Sequence, residues 1–104
     1  MSATRVRSKK EVYLAIKAHG RSIRALGVHR LGLFGSFCTG RVRASSDVDF
    51  VVEFLPEKKT FDNLMDLSFL LEGILGRSVE LVTPQSLSRT MLTYIVNQAE
   101  DVAF

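Results

Sequence analysis

The spacing of apolar positions changes several times along the 104 residues, and each change marks an element. Val12, Ala15, Ile16 and His19 recur at three- and four-residue intervals and predict a helix from about Lys9, with Ser8 as its N-cap. Gly20 weakens that helix, and a second, shorter one through Ile23 and Leu26 ends at Gly27. Val28 to Phe34 reads as a strand, and a short helix follows Ser36. From Asp47 to Phe54 the pattern alternates, with Phe50, Val52 and Phe54 on one face and Asp47, Asp49 and Glu53 on the other. Pro56 stops that strand. Phe61, Leu64, Met65, Ser68, Leu71 and Leu75 return to helical spacing, with Gly73 and Gly76 marking the helix end. Ser78 to Val82 is a third strand. Thr83-Pro84 reads as an N-cap followed by proline at the first helical position, opening a helix with Leu87, Met91, Tyr94 and Ile95 inward. The order is α-β-α-β-α-β-α, which by periodicity alone also allows a doubly wound parallel sheet.

Composition narrows the class. The length and the 46% hydrophobic content fit one domain over residues 1–104 and argue against disorder. No apolar run approaches the roughly 20 residues of a membrane span, and no signal-peptide pattern opens the chain. The single cysteine, Cys38, makes neither an internal disulfide nor a zinc cluster, so a reducing cytoplasm is the expected compartment. Cys38 lacks a base partner and reads as a small packing residue. Charge is uneven: residues 1–43 carry ten Lys/Arg against Glu11 alone, a balance of +9, while the remainder carries −6. Such a front half suits a polyphosphate or an acidic partner surface. Most of these cations are interspersed with Val12, Ala15, Ile16, Ile23 and Leu26 and read as solvated helix faces, which ranks nucleic acid low as a direct ligand. Arg41 and Arg43 stand apart, between a glycine turn and a pair of acids.

Those acids carry the chemistry. Side chains two apart on a strand share a face, so Asp47 and Asp49 can converge on one ion. Partly buried like charges are costly, and a hard cation such as Mg²⁺ removes the cost. Ten residues earlier, Leu31 to Phe34 stops at Gly35-Ser36. Gly35 lets a ligand approach the backbone, and Ser36 offers an N–H and a hydroxyl suited to phosphate. Taken singly, Asp-x-Asp is also a solvated strand start and Gly-Ser a turn with an N-cap; their spacing makes them informative. Glu80 interrupts the apolar run Val79-Glu80-Leu81-Val82 and supplies a third carboxylate, or else faces solvent on an edge strand. His19 and His29 lack metal-ligand spacing, Tyr13 and Tyr94 read as packing groups, and Glu53 as the exposed far end of its strand.

Gly35-Ser36-x10-Asp47-x-Asp49, followed by Val79-Glu80-Leu81-Val82-Thr83-Pro84, resembles the minimal nucleotidyltransferases of the DNA polymerase β-like superfamily, and especially the MntA-type antitoxins that accompany HEPN-domain toxins. The similarity runs from about Lys9 to about Asn97. It implies an α+β fold with a small mixed sheet flanked by helices and both ligand loops at one edge. It also implies Mg²⁺-dependent transfer of AMP from ATP to a tyrosine hydroxyl of a HEPN ribonuclease toxin. Carried over, Gly35 and Ser36 contact the nucleotide phosphates, and Asp47, Asp49 and Glu80 are catalytic and hold one or two Mg²⁺ ions. Two positions depart from the family pattern. Thr39 stands where close relatives usually have arginine, removing a bidentate cation, and Glu80 stands where aspartate is common. Two alternatives stay open: an antitoxin that neutralises its partner by binding alone, and a nucleotidyltransferase acting on a small molecule or an RNA end. Homo-oligomerisation is compatible with either.

Overall fold

The computed structural model describes residues 5–104. Its helices are α1 (Lys9–Ala18), α2 (Gly20–Ala25), α3 (Ser36–Thr39), α4 (Phe61–Leu75) and α5 (Arg89–Gln98). Its strands are β1 (Val28–Phe34), β2 (Val48–Phe54), β3 (Val79–Val82) and β4 (Glu100–Asp101). The strands form one mixed sheet in the order β3-β2-β1-β4, with β1 antiparallel to both β2 and β4 and β2 parallel to β3. This is the α+β arrangement with a small mixed sheet, not the doubly wound one.

Alternation along β2 decides what each sheet face does. Val48, Phe50 and Val52 are fully buried and, with Leu31 and Leu33 of β1, meet Val12, Ile16, Ile23, Leu67, Leu71 and Leu75 from the helices. Burying a side chain of this kind is worth roughly 1.5–3 kcal/mol, so this one layer dominates cohesion. Asp49, Val51 and Glu53 take the opposite face. Ser8 caps α1 by accepting from the Glu11 N–H, and Thr60 caps α4 through the Asn63 N–H.

The structure corrects several sequence expectations. Gly73 lies inside α4; the helix ends at Gly76, whose φ of 67° is the left-handed conformation that glycine adopts freely. Thr83-Pro84 opens a short 3-10 turn, Pro84–Ser86, instead of the last helix. The chain is extended again at Leu87, and Ser88 caps α5 through the Met91 N–H. On α5 only Ile95 is buried, while Met91 and Tyr94 are exposed. β2 and β3 each start one residue later than expected, at Val48 and Val79. β4 has no signal in the hydropathy pattern. Its two residues pair with Gly32 and Leu33, and Val102 extends the contact by donating to the Leu31 carbonyl. Among the described residues, no helix is long and apolar enough to cross a membrane.

Candidate active site

The sheet order places β1 and β2 at the centre, so the Gly35 turn and the Asp47–Asp49 segment meet at one end of the central strand pair. Both loops lie there, rather than along a side edge of the sheet. Phe34 is the register partner of Asp49, which sets the next residue, Gly35, against the Asp49 side chain. Gly35 has φ 74° and ψ −155°, and a Cβ added there would run into the Asp49 carboxylate. Glycine is required at this position on both counts. The turn continues into α3, where the Cys38 and Thr39 N–H groups both donate to the Gly35 carbonyl. The N–H groups at the start of any helix have no partner within it, which leaves the Ser36 and Phe37 N–H groups without an intrahelical acceptor. Phe37 is fully buried and fixes α3 to the core.

On the other side of Asp49, the parallel pairing of β2 with β3 makes Glu80 its direct register partner. The Glu72 carboxylate accepts from the Val79 N–H at 3.0 Å and holds the start of β3 on α4. Burial, then the neighbouring Glu80 charge and its hydrogen bond, then the Asp47 charge, push the Asp49 carboxyl up to about 6. Asp49 and Glu80 are thus adjacent, and Asp47 is close enough for its charge to be felt. Asp47 itself lies just before β2 and is exposed. Among the described residues, no three His, Cys, Asp or Glu side chains are gathered tightly enough to hold one ion together. The donor chemistry nevertheless suits a hard divalent cation. Two carboxylates side by side, one of them retaining a proton into the weakly acidic range, form an arrangement that such an ion relieves.

Glu53 sits at the far end of β2, within 4.0 Å of Arg30, away from these groups. Cys38 is half-buried with its thiol donating to the Gln98 carbonyl, and burial raises its pKa, as befits a packing residue. Arg41 and Arg43 are exposed on the loop between α3 and β2.

One organising residue had no signal in the motifs. Arg77, in the two-residue link after Gly76, is nearly inaccessible at 8% exposure. Its Nη1 donates to the carbonyls of Arg43, Ala44 and Ser46, and its Nε to the carbonyl of Val6 at 2.7 Å. Its guanidinium also lies 5.0 Å from the centroid of the Phe37 ring. One side chain therefore ties the loop entering Asp47, the helix after Gly35 and the N-terminal arm to the start of β3. Its cue in the sequence is small: an arginine between a helix-ending glycine and an apolar strand.

A glycine turn abutting a carboxylate pair, at one end of a small mixed sheet flanked by helices, defines the nucleotidyl-transfer class. The chain belongs to the polymerase beta nucleotidyltransferase family, whose sequence model matches residues 24–103. It is 34% identical over 92 residues to the protein adenylyltransferase MntA of Thermococcus cleftensis, covering 84% of this chain and 92% of that one. A solved structure assigned as a minimal nucleotidyltransferase superposes with a TM-score of 0.79 at 26% identity, over 89% of this chain and 94% of that one. A toxin–antitoxin structure, an MntA–HpeT mutant, superposes with a TM-score of 0.58 at 26% identity, over 81% of this chain and 71% of that one.

Proposed function

We propose that this nucleotidyltransferase is a protein adenylyltransferase and an antitoxin, moving AMP from ATP to a tyrosine hydroxyl of a HEPN ribonuclease toxin. The observation that carries the reading is the close assembly of Gly35, Asp49 and Glu80 across three neighbouring segments. The named relative supports the adenylyl class, and the toxin–antitoxin likeness supports the partner. Residues 1–104 act in this reading as a single domain.

Asp47, Asp49 and Glu80 are the residues that would hold Mg²⁺. When bound, that ion neutralises triphosphate charge and stabilises the leaving pyrophosphate. Gly35 and Ser36 hold the β- and γ-phosphates through N–H and hydroxyl groups, chiefly a positioning role. The acceptor oxygen bonds to the α-phosphorus, the bond from that phosphorus to the bridging oxygen breaks, and the hydroxyl proton is released.

The test is incubation of the partner with this protein, ATP and Mg²⁺, read by mass spectrometry. Mass should be added to the partner in AMP units, and Asp47→Asn with Asp49→Asn should remove that addition while leaving partner binding intact. A partner that gains no mass, yet is neutralised equally by the double variant, would replace this reading with neutralisation by binding alone.

A further inference from the structure

The loop that delivers Asp47 has a second side. Its Val42-Arg43-Ala44 stretch closes, with Arg5, Arg7 and Arg77, around an open concavity of about 380 Å³. Neither Gly35, Ser36, Asp47, Asp49 nor Glu80 lines it. Four of its six described lining residues bear guanidiniums, and none of the six bears a carboxylate. Among the described residues, the ion pairs join Lys9 to Glu100 and Arg30 to Glu53 and Asp101, and none includes these four arginines. The Glu11 carboxylate, close in sequence, accepts from the Arg7 backbone N–H. Residues 1–4 contain no Asp or Glu to add.

Such a gathering of cations is unfavourable without an anion. Burial first, and then the Arg5 and Arg7 charges, lower the pKa of the Arg77 guanidinium, so the repulsion is felt inside the cluster. Arg77 has already committed its Nη1 and Nε to carbonyls, and Arg5 donates to the Ala44 carbonyl. Arg7 and Arg43 are exposed at the rim. Planar guanidinium forks match the oxygens of a phosphate group better than lysine ammoniums do, and a concave site concentrates their field.

We propose that this concavity is a phosphate-binding site, separate from the Gly35-Ser36 turn, that takes the phosphate group of a free pyrophosphate or nucleotide or of a phosphodiester backbone. It stands independently of the transfer reaction. Because Arg77 grips the Ser46 carbonyl, an anion seated here also bears on the strand entry next to Asp47.

Titration calorimetry in excess chelator, with pyrophosphate in one arm and a short single-stranded oligoribonucleotide in the other, tests this on the whole chain. At least one anion should bind without divalent metal. Arg7→Gln with Arg43→Gln should weaken that binding about tenfold or more, as expected for losing charge-assisted hydrogen bonds, while the melting temperature stays unchanged. Asp47→Asn with Asp49→Asn should not weaken it. Binding of pyrophosphate alone identifies a free phosphate. Binding of the oligonucleotide alone, with a salt dependence that shrinks in the arginine variant, identifies a phosphodiester backbone. Absence of binding in both arms, or binding that the arginine variant leaves unchanged, overturns the proposal.

Discussion

Two clusters of like charge flank the loop from Gly40 to Asp47, and the protein treats them in opposite ways. At the sheet end, Asp49 and Glu80 stand side by side as register partners with Asp47 nearby. Behind the loop, Arg77 is buried within reach of the Arg5 and Arg7 charges. A part-buried carboxylate beside another can relieve itself by retaining a proton, and Asp49, through burial first and then the Glu80 charge, does so up to about 6. A guanidinium has no such route near neutral pH, because its proton is held too tightly. Arg77 is stabilised instead by backbone carbonyls and the Phe37 ring. The carboxylates are therefore left free to exchange a proton for a cation, and the buried arginine becomes structural. In the proposed function the acidic cluster is the place for the metal ion. The buried cation is a fastener, with only the arginines at its rim available for binding.

That contrast breaks most sharply at Arg77. Arg77→Ala should cost on the order of 3 kcal/mol in unfolding free energy, read from urea denaturation, because the bonded carbonyls lose a charged donor together. Arg77→Lys should recover only part of this loss, since one ammonium cannot reproduce the fork that reaches Val6 and the loop at once. If Arg77→Ala leaves the urea midpoint in place, the fastener role is wrong.

A smaller loss is expected at the joint between the turn and the acids. Gly35→Ala forces a side chain into a φ of 74° and against the Asp49 carboxylate. The expected loss is about 1–3 kcal/mol of stability. Mg²⁺-dependent protection against thermal unfolding should fall with it, because the carboxylate must move. Protection equal to wild type would separate the turn from the acidic site.

The smallest effect is in pH. Asp49 has a folded-state pKa raised from 3.8 to about 6, so between these values the native state holds a proton that the unfolded chain has lost. Stability of the metal-free protein therefore falls as pH rises from about 4 to about 6 through this group, and levels off above. Asp49→Asn should flatten that segment of the profile, measured by thermal melts in chelator. A variant profile parallel to wild type would show that burial and the neighbouring carboxylates do not hold the Asp49 proton as this placement requires.

Much of the frame was legible because it depends on local rules. Caps at Ser8, the glycine stops at Gly27 and Gly76, and the two-residue alternation from Asp49 to Phe54 follow from backbone geometry near each residue. The same local rules predict a helix directly after Thr83-Pro84, and a local arrangement prevents it. Thr83 and Ser86 satisfy each other's backbone within a 3-10 turn, and a second cap at Ser88 starts the helix. The inward face that spacing predicts for α5 shrinks in the fold to one buried position, Ile95. Glu80 was visible as an acid interrupting an apolar strand, while its neighbour depended on parallel pairing between strands separated by the whole of α4.

Residue identity and spacing alone establish the chemistry on offer: a permissive glycine, an adjacent hydroxyl, three carboxylates and the element boundaries that present them. These follow from side-chain identity and short-range spacing. Which groups meet is set by long-range packing. Sheet register set Asp49 against Gly35 and Glu80, the free edge of β1 recruited β4, and the closing of the chain brought Arg77 to Val6 and the 43–46 loop. Pairings of this range are fixed by burial of one common core and by satisfaction of distant backbone groups, and neither is written in any local pattern.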